Sequence, residues 1–271
     1  MRRLVIMAAA MLIAASTAAP VSAIVGGEVD SAHPEVGIFY FVTDEGRFRC
    51  SGTLISSTVL LTAAHCTEGV IGKVIVNFDQ VAPPAGSAPA NGAGYTSATV
   101  PAGYLAGTAH AHPDFNEKLQ TKDLLDVGVV VLDAPVAIEP ATLPPAQGWL
   151  DTFNVKTLKA ELFSVVGYGI RFEKPDSGPQ TPTAVADRTR RSTTAPLQNL
   201  NGEVIQLAEG ARDSRGGGGT CFGDSGGAIY WRGYLVGDTS FGGSQFCKGG
   251  IGGFQRVDTV KAWAFVHSFL P

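Results

Sequence analysis

Beyond its first two dozen residues, this chain of 271 residues has no uninterrupted apolar run of the ~20 residues that a spanning helix needs, so no membrane anchor is expected. It has no long basic run, and 20 Lys and Arg stand against 24 Asp and Glu for a net charge of −4. The electrostatic footprint of a nucleic-acid binder is missing, which removes nucleic acid from the expected partners. Stretches rich in Ala, Glu, Lys, Leu and Arg are scarce, against a helix bundle. The four cysteines contain no C-x-x-C pair of the kind a zinc site uses, and no Gly-Lys-Ser/Thr follows the glycine run 216–219, so that run is not a phosphate loop. No cofactor is expected, and no internal repeat is evident. What is present is globular composition: 45% apolar and 16% charged residues, with 34 glycines and 16 prolines.

Arg2 and Arg3 lead into an apolar stretch from Leu4 to about Ala18 and then into Ala19-Pro20-Val21-Ser22-Ala23. This is the layout of a secretory signal, so residues 1–23 are expected to be removed and the protein to be secreted, extracellular or periplasmic. Removal takes away two arginines and no acidic residue, so the charge becomes −6. Export makes disulfides the first expectation for Cys50, Cys66, Cys221 and Cys247, and the sequence alone permits three pairings.

Short β-branched and aromatic runs bounded by glycine and proline dominate the rest: Val36 to Val42, Gly52 to Leu61, Lys73 to Phe78, Val127 to Leu132, Leu162 to Val166, Gly226 to Trp231, Tyr234 to Asp238 and Gly253 to Val257. No helical crossovers separate them, so they predict an all-β protein of sandwich or barrel type. One helix is expected at the end, capped by Asp258, with Ala262, Phe265, Val266 and Phe269 at i, i+3, i+4, i+7 and packed on the second half. Gln80 to Gly94 and Phe172 to Pro196 read as loops, and Arg188, Arg190 and Arg191 as a solvated charge run. The strand pattern breaks near Asp133 to Gln147.

Three segments carry chemistry: Leu61-Thr62-Ala63-Ala64-His65-Cys66, then Asp126-Val127-Gly128-Val129, then Gly223-Asp224-Ser225-Gly226-Gly227. In this order, together with Ile24-Val25-Gly26-Gly27, Cys50-Ser51-Gly52, Val166-Gly167-Tyr168-Gly169 and Ser240-Phe241-Gly242, the sequence resembles the chymotrypsin-like (trypsin-superfamily) serine proteases. The resemblance implies two antiparallel β-barrels, the first over about 24–135 and the second, with the C-terminal helix, over about 136–271.

It also implies a serine endopeptidase working through an acyl-enzyme on protein or peptide substrates. Ser225 is the expected nucleophile, His65 the base and Asp126 the carboxylate that orients the histidine. Asp123 lies three residues before Asp126, but the aliphatic, small, aliphatic continuation of the family motif belongs to Asp126. The N–H groups of Gly223 and Ser225 are the expected oxyanion hole, and Ile24, once it is a free N-terminus, the expected partner of Asp224 in an activating ion pair. One cut after Ala23 would expose Ile24 directly; a cut after Ala18 would leave a propeptide of residues 19–23. The family pattern selects the pairings Cys50 with Cys66 and Cys221 with Cys247, each contributing ~3 kcal/mol by loop closure. A monomer is expected, with a protein protease inhibitor as a further partner.

The specificity pocket implied by the resemblance has Gly219 as its floor, with Ser240, Phe241, Gly242 and Gly252 forming its walls. Without an acid at the floor, apolar or aromatic residues are expected before the scissile bond, unless Asp213 or Asp238 supplies a charge. Two other classes compete: a catalytically silent binding protein on the same fold, and a metal-dependent hydrolase using His110 and His112 of Ala109-His110-Ala111-His112-Pro113-Asp114.

Overall fold

The computed structural model describes residues 24, 27–118, 123–173, 177, 181–210, 217–242, 247 and 249–271. Residues 1–23, Val25, Gly26 and Asp213 lie outside them. β1 is Glu28–Val29. The first barrel is built from β2 (Val36–Thr43), β3 (Gly46–Leu54), β4 (Val59–Thr62), β5 (Val74–Asn77), β6 (Leu105–Ala111) and β7 (Gly128–Leu132), closed in the order β2-β3-β4-β7-β6-β5. After it come the helix α1 (Val155–Ala160), β8 (Leu162–Gly167) and a two-stranded ribbon of β9 (Arg171–Glu173) and β10 (Thr183–Val185). The last strands are β11 (Arg191–Leu200), β12 (Val204–Glu209), β13 (Ala228–Trp231), β14 (Tyr234–Phe241) and β15 (Gly250–Arg256), followed by the helix α2 (Val260–His267). The second sheet runs β1-β11-β12-β15-β14-β13-β8, and pairing of β8 with β11, from Gly167 opposite Arg191 to Leu162 opposite Pro196, closes it into the second antiparallel barrel.

Strand period explains where the cores sit. Along β2, Phe39 and Phe41 point one way, into a cluster made of first-half residues such as Leu60, Val74, Val76 and Val130. Val36, Ile38, Tyr40 and Val42 point the other way, into a cluster shared with Tyr168, Ala228, Tyr230 and Leu235 of the second half. Both faces of β2 are therefore buried, and its second face forms the seam between the barrels. The second barrel has its own core around Phe163, Ile205, Trp231 and Phe254.

Four expectations need correction. Gly52 to Leu61 is not one strand: the chain turns at Ser56–Thr58, where the Ser56 hydroxyl accepts from the N–H groups of Thr58 and Val59. The stretch expected as a loop from Phe172 to Pro196 holds the end of β9, all of β10 and residues 191–196 of β11; Pro196 is tolerated in strand because it sits at the end of the β8 register and next to a bulge at Leu197/Asn199. Arg190 and Arg191 are buried, not solvated: Arg190 donates to the carbonyls of Val36 and Phe78 and to the Tyr168 hydroxyl, and Arg191 pairs with Asp187. Asp258 does not cap α2. It is fully buried, pairs with Arg256 and accepts from the Leu150 N–H, leaving Thr259 at the N-cap. The helix buries Ala262 and Val266, but Phe265 and Phe269 lie on the rings of His112 and His110, so it packs on the first barrel as well as the second half.

Candidate active site

Each candidate catalytic residue sits on a short segment, and glycines beside Asp126 and Ser225 allow close approach. His65 lies in a 3₁₀ turn, Ala64–Cys66, directly after β4, and a disulfide from Cys66 to Cys50 ties that turn to β3. Asp126 immediately precedes β7. A Cβ on Gly128 would stand 2.4 Å from Thr67 Oγ1 and 2.8 Å from the Ala63 carbonyl, so a glycine here lets the aspartate segment lie against the histidine turn. Ser225 sits in the turn between the second disulfide, Cys221–Cys247, and β13. Gly226 has φ +74°, and a Cβ there would come within 1.9 Å of Thr62 Oγ1, three residues before His65. The serine turn and the histidine strand are thus in direct contact.

The Asp126 carboxylate is buried and fully used. Oδ1 accepts from the His65 N–H at 2.9 Å, while Oδ2 faces His65 Nδ1 at 2.8 Å and accepts from the Ser240 hydroxyl at 2.5 Å. With the Nδ1 proton directed to Asp126, the lone pair of His65 is left on Nε2. The imidazole is 34% exposed, open to an incoming substrate. Burial works to lower its pKa, but the hydrogen bond and charge of Asp126 outweigh burial and raise it above 6.5. Asp123 is exposed and has φ +56°. Among the described residues Ser225 Oγ makes no hydrogen bond, a common state of a nucleophile before substrate tightens the site.

The backbone of the serine turn is selectively satisfied. The N–H groups of Asp224, Gly226 and Gly227 are bound to the carbonyls of Cys221, Thr239 and Asp224. Among the described residues, those of Gly223 and Ser225 have no acceptor. Gly223, at φ +96°, is held by the Ser51 hydroxyl donating to its carbonyl.

Asp224 is fully buried. Its Oδ1 accepts from the Gly169 N–H at 2.6 Å and its Oδ2 from the Cys221 N–H at 2.8 Å. Burial pushes its carboxyl up to about 6, although these bonds and the charges of Arg49 and Arg191 oppose that. A Cβ on Gly167 or Gly169 would fall 2.3 or 2.2 Å from this carboxylate. Ile24 is buried but follows Ala23 in peptide linkage, so it carries no ammonium in this chain.

The pocket residues divide. Ser240 serves Asp126, and the Phe241 ring covers Gly253, where a Cβ would be 2.0 Å from it. Gly242 faces Thr220, with room for a Cβ at 3.7 Å from Thr220 Oγ1. Gly219 and Gly252 both face the carboxylate of Glu209, which sequence reasoning missed. Arg49 was missed as well: its guanidinium lies against Gly223, with Nε 2.9 Å from where a Cβ would be. Asp238 is wholly buried beside Asp126, and neither carboxyl oxygen has a partner among the described residues; burial, and then the Asp126 charge, hold its pKa far above the usual carboxylate range. His110 and His112 face α2, and His112 Nδ1 accepts from the Asp114 N–H. The one group of three possible metal ligands among the described residues is Cys50, His65 and Cys66, two of which are joined in a disulfide.

A family model, Trypsin, matches residues 24–264. This chain belongs to the trypsin family. Brachyurin of Leptuca pugilator is 26% identical over 225 residues, covering 79% of this chain and 85% of that protein. A trypsin of Saccharopolyspora erythraea is 26% identical over 234 residues, with 86% and 93% covered, and kallikrein-1 of Mus musculus is 27% identical over 288 residues, with 97% of each covered. Among solved structures, one titled HL collagenase superposes with a TM-score of 0.62 at 20% identity, covering 88% of this chain and 95% of that one. One titled GrC superposes at 0.60 and 19%, covering 90% and 98%. The trypsin-family chain is thus a serine peptidase in a chymotrypsin-like fold of two barrels, acting on protein or peptide substrates. None of its described helices is long and apolar enough to cross a membrane.

Proposed function

We propose that this peptidase is an exported serine endopeptidase with His65, Asp126 and Ser225 as its triad. The observation that carries the reading is the pair of N–H groups at Gly223 and Ser225, which have no acceptor among the described residues in a turn where every other backbone donor from 224 to 227 is taken. His65 Nε2 takes the Ser225 proton as Oγ attacks the substrate carbonyl carbon. The oxygen of that carbonyl gains negative charge and is held by the two N–H groups, each typically worth about 3 kcal/mol. Asp126 stabilises the imidazolium, which gives its proton to the leaving amine as the C–N bond breaks; a water molecule then repeats the sequence on the acyl-enzyme.

Export through residues 1–23 belongs to the same proposal, as does the peptidase domain starting at Ile24, where the family match begins. A cut after Ala23 would give Ile24 an ammonium, and buried Asp224 is the carboxylate proposed to receive it. Mass spectrometry of the secreted protein checks this: a mature chain starting at Ala19 and inactive until trimmed rules out direct activation.

Incubation of mature protein with a serine-directed organophosphate tests the triad. One covalent label on Ser225, lost in Ser225→Ala, is expected together with loss of peptidase activity. Absence of the label would favour the silent binding protein, and loss of activity to a chelator alone would favour the metal-dependent class.

A further inference from the structure

We infer that Glu209, reaching in from the end of β12, is the acid at the base of the specificity pocket and directs cleavage to peptide bonds after Lys and Arg; this inference rests on the serine-endopeptidase reading above. The expectation of apolar specificity depended on a pocket without a carboxylate, because its floor position is Gly219. The structure supplies one from another strand. A Cβ on Gly252 would lie 2.2 Å from Glu209 Oε1 and 3.1 Å from Oε2, and a Cβ on Gly219 would lie 3.3 Å from Oε2. Side chains from floor and wall would thus occupy the place Glu209 already fills, and both positions being glycine leaves room for it.

The carboxylate is anchored from one side. Oε1 accepts from the Thr220 N–H at 3.0 Å and the Thr220 hydroxyl at 2.8 Å. Among the described residues Oε2 has no hydrogen-bond partner, so it is the oxygen available to an incoming cation. Gly242 keeps the gap opposite Thr220 open. A Lys or Arg side chain entering there pairs its charge with Glu209, whereas an apolar side chain would cover the carboxylate and leave it unpaired.

The surroundings make the preference depend on pH. Burial is the main force raising the Glu209 pKa, to about 7, against the Thr220 bonds, and the nearby Asp224 charge adds to it. Among the described residues Asp224 is the charged group that bears on Glu209 from the serine loop; β15 presents Gly250 to Gly253, and the end of β14 with Gly242 after it presents Ser240 to Gly242, none of them titratable. As pH rises through neutrality Glu209 ionises, and Lys and Arg gain over apolar residues. A ratio of kcat/KM for Lys and Leu substrates cancels the titration of His65, which both substrates share.

The test is a peptide library on mature wild-type protein, with Ser225 labelling run in parallel. Lys and Arg should exceed Leu and Phe at least about 10-fold near pH 8, and the Lys/Leu ratio should fall toward pH 6. Glu209→Gln should lower that ratio roughly 100-fold, as expected when one member of a buried charge pair is removed. Should this variant fail to fold, benzamidine inhibition of wild-type protein decides, binding more tightly near pH 8 than near pH 6. Labelled Ser225 with dominant cleavage after Leu or Phe, or a Lys preference that survives Glu209→Gln, overturns the role of Glu209 and leaves the endopeptidase standing. No label and no cleavage of any library member would instead remove the endopeptidase reading.

Discussion

The Ser240 hydroxyl lies 2.5 Å from Oδ2 of Asp126, the same oxygen that faces His65 Nδ1. One carboxylate oxygen therefore serves two donors, and Ser240 governs how tightly it can hold the histidine. Ser240→Ala is expected to lower kcat/KM roughly ten-fold, about 1.4 kcal/mol, from a hydrogen bond to a charged group. With one donor gone the carboxylate holds the imidazolium more strongly, so the acid limb of the pH profile should move up. Steady-state kinetics across pH on a single peptide substrate checks both effects.

Asp126→Asn should be far more severe. Loss of the charge and of the correct tautomer is expected to lower kcat about 10⁴-fold. The His65 pKa, raised above 6.5 by Asp126, should fall, because burial then acts without opposition. In wild-type protein kcat/KM should decline as pH falls through the raised pKa, since only neutral His65 can take the serine proton. Proton NMR of the imidazole in both proteins measures the shift.

Gly169 and Gly202 offer a matched pair of substitutions. A Cβ at 169 would fall 2.2 Å from Asp224, whereas one at 202 meets nothing within 4 Å. Gly169→Ala should destabilise by about 1–3 kcal/mol and disturb the serine turn, because the buried carboxylate must move. Gly202→Ala should be neutral or stabilising by up to about 1 kcal/mol. Urea melts in a Ser225→Ala background, which prevents self-cleavage, give both values.

Asp30 contributes to stability in acid. It accepts from the N–H of His33 and pairs with its ring at 2.8 Å; burial works against ionisation, but these bonds and the histidine charge win and hold the carboxyl at about 2. Its folded pKa lies below the unfolded value of 3.8, so its contribution, about 2 kcal/mol, is present above pH 3.8 and lost as pH falls toward 2. Asp30→Asn should flatten the fall in urea midpoint over that window.

Much of the candidate site is legible in the sequence because its pattern is local. The glycines at 223, 226 and 128 stand within two residues of Ser225 and Asp126, and the cysteines at 66 and 221 stand within four residues of His65 and Ser225. The Cys50–Cys66 and Cys221–Cys247 bridges implied by the family pattern are present. The place of Glu209 against Gly219 and Gly252 was not legible, since it stands 16 residues before Ser225 and comes there only because β12 pairs with β15, setting Leu207 opposite Gly252 and Glu209 opposite Gly250. Arg190 failed for a related reason: three arginines in four residues read as a wet surface, and only the closing of two barrels around one of them buries it. The cap of α2 failed because Asp258 has a stronger partner in Arg256, two residues away on the side facing the core.

Arg190 has a wider consequence. Its guanidinium donates to carbonyls of the first half, at Val36 and Phe78, and to the hydroxyl of Tyr168 in the second, so separating the halves breaks three hydrogen bonds of one buried cation. Opening the seam therefore costs these bonds together with the apolar cluster that the two halves share. For a peptidase that meets its own copies, this makes the seam a poorer target for self-digestion. Cleavage needs an extended segment released from the fold, and a seam held by a buried arginine makes release of the segments along it rarer.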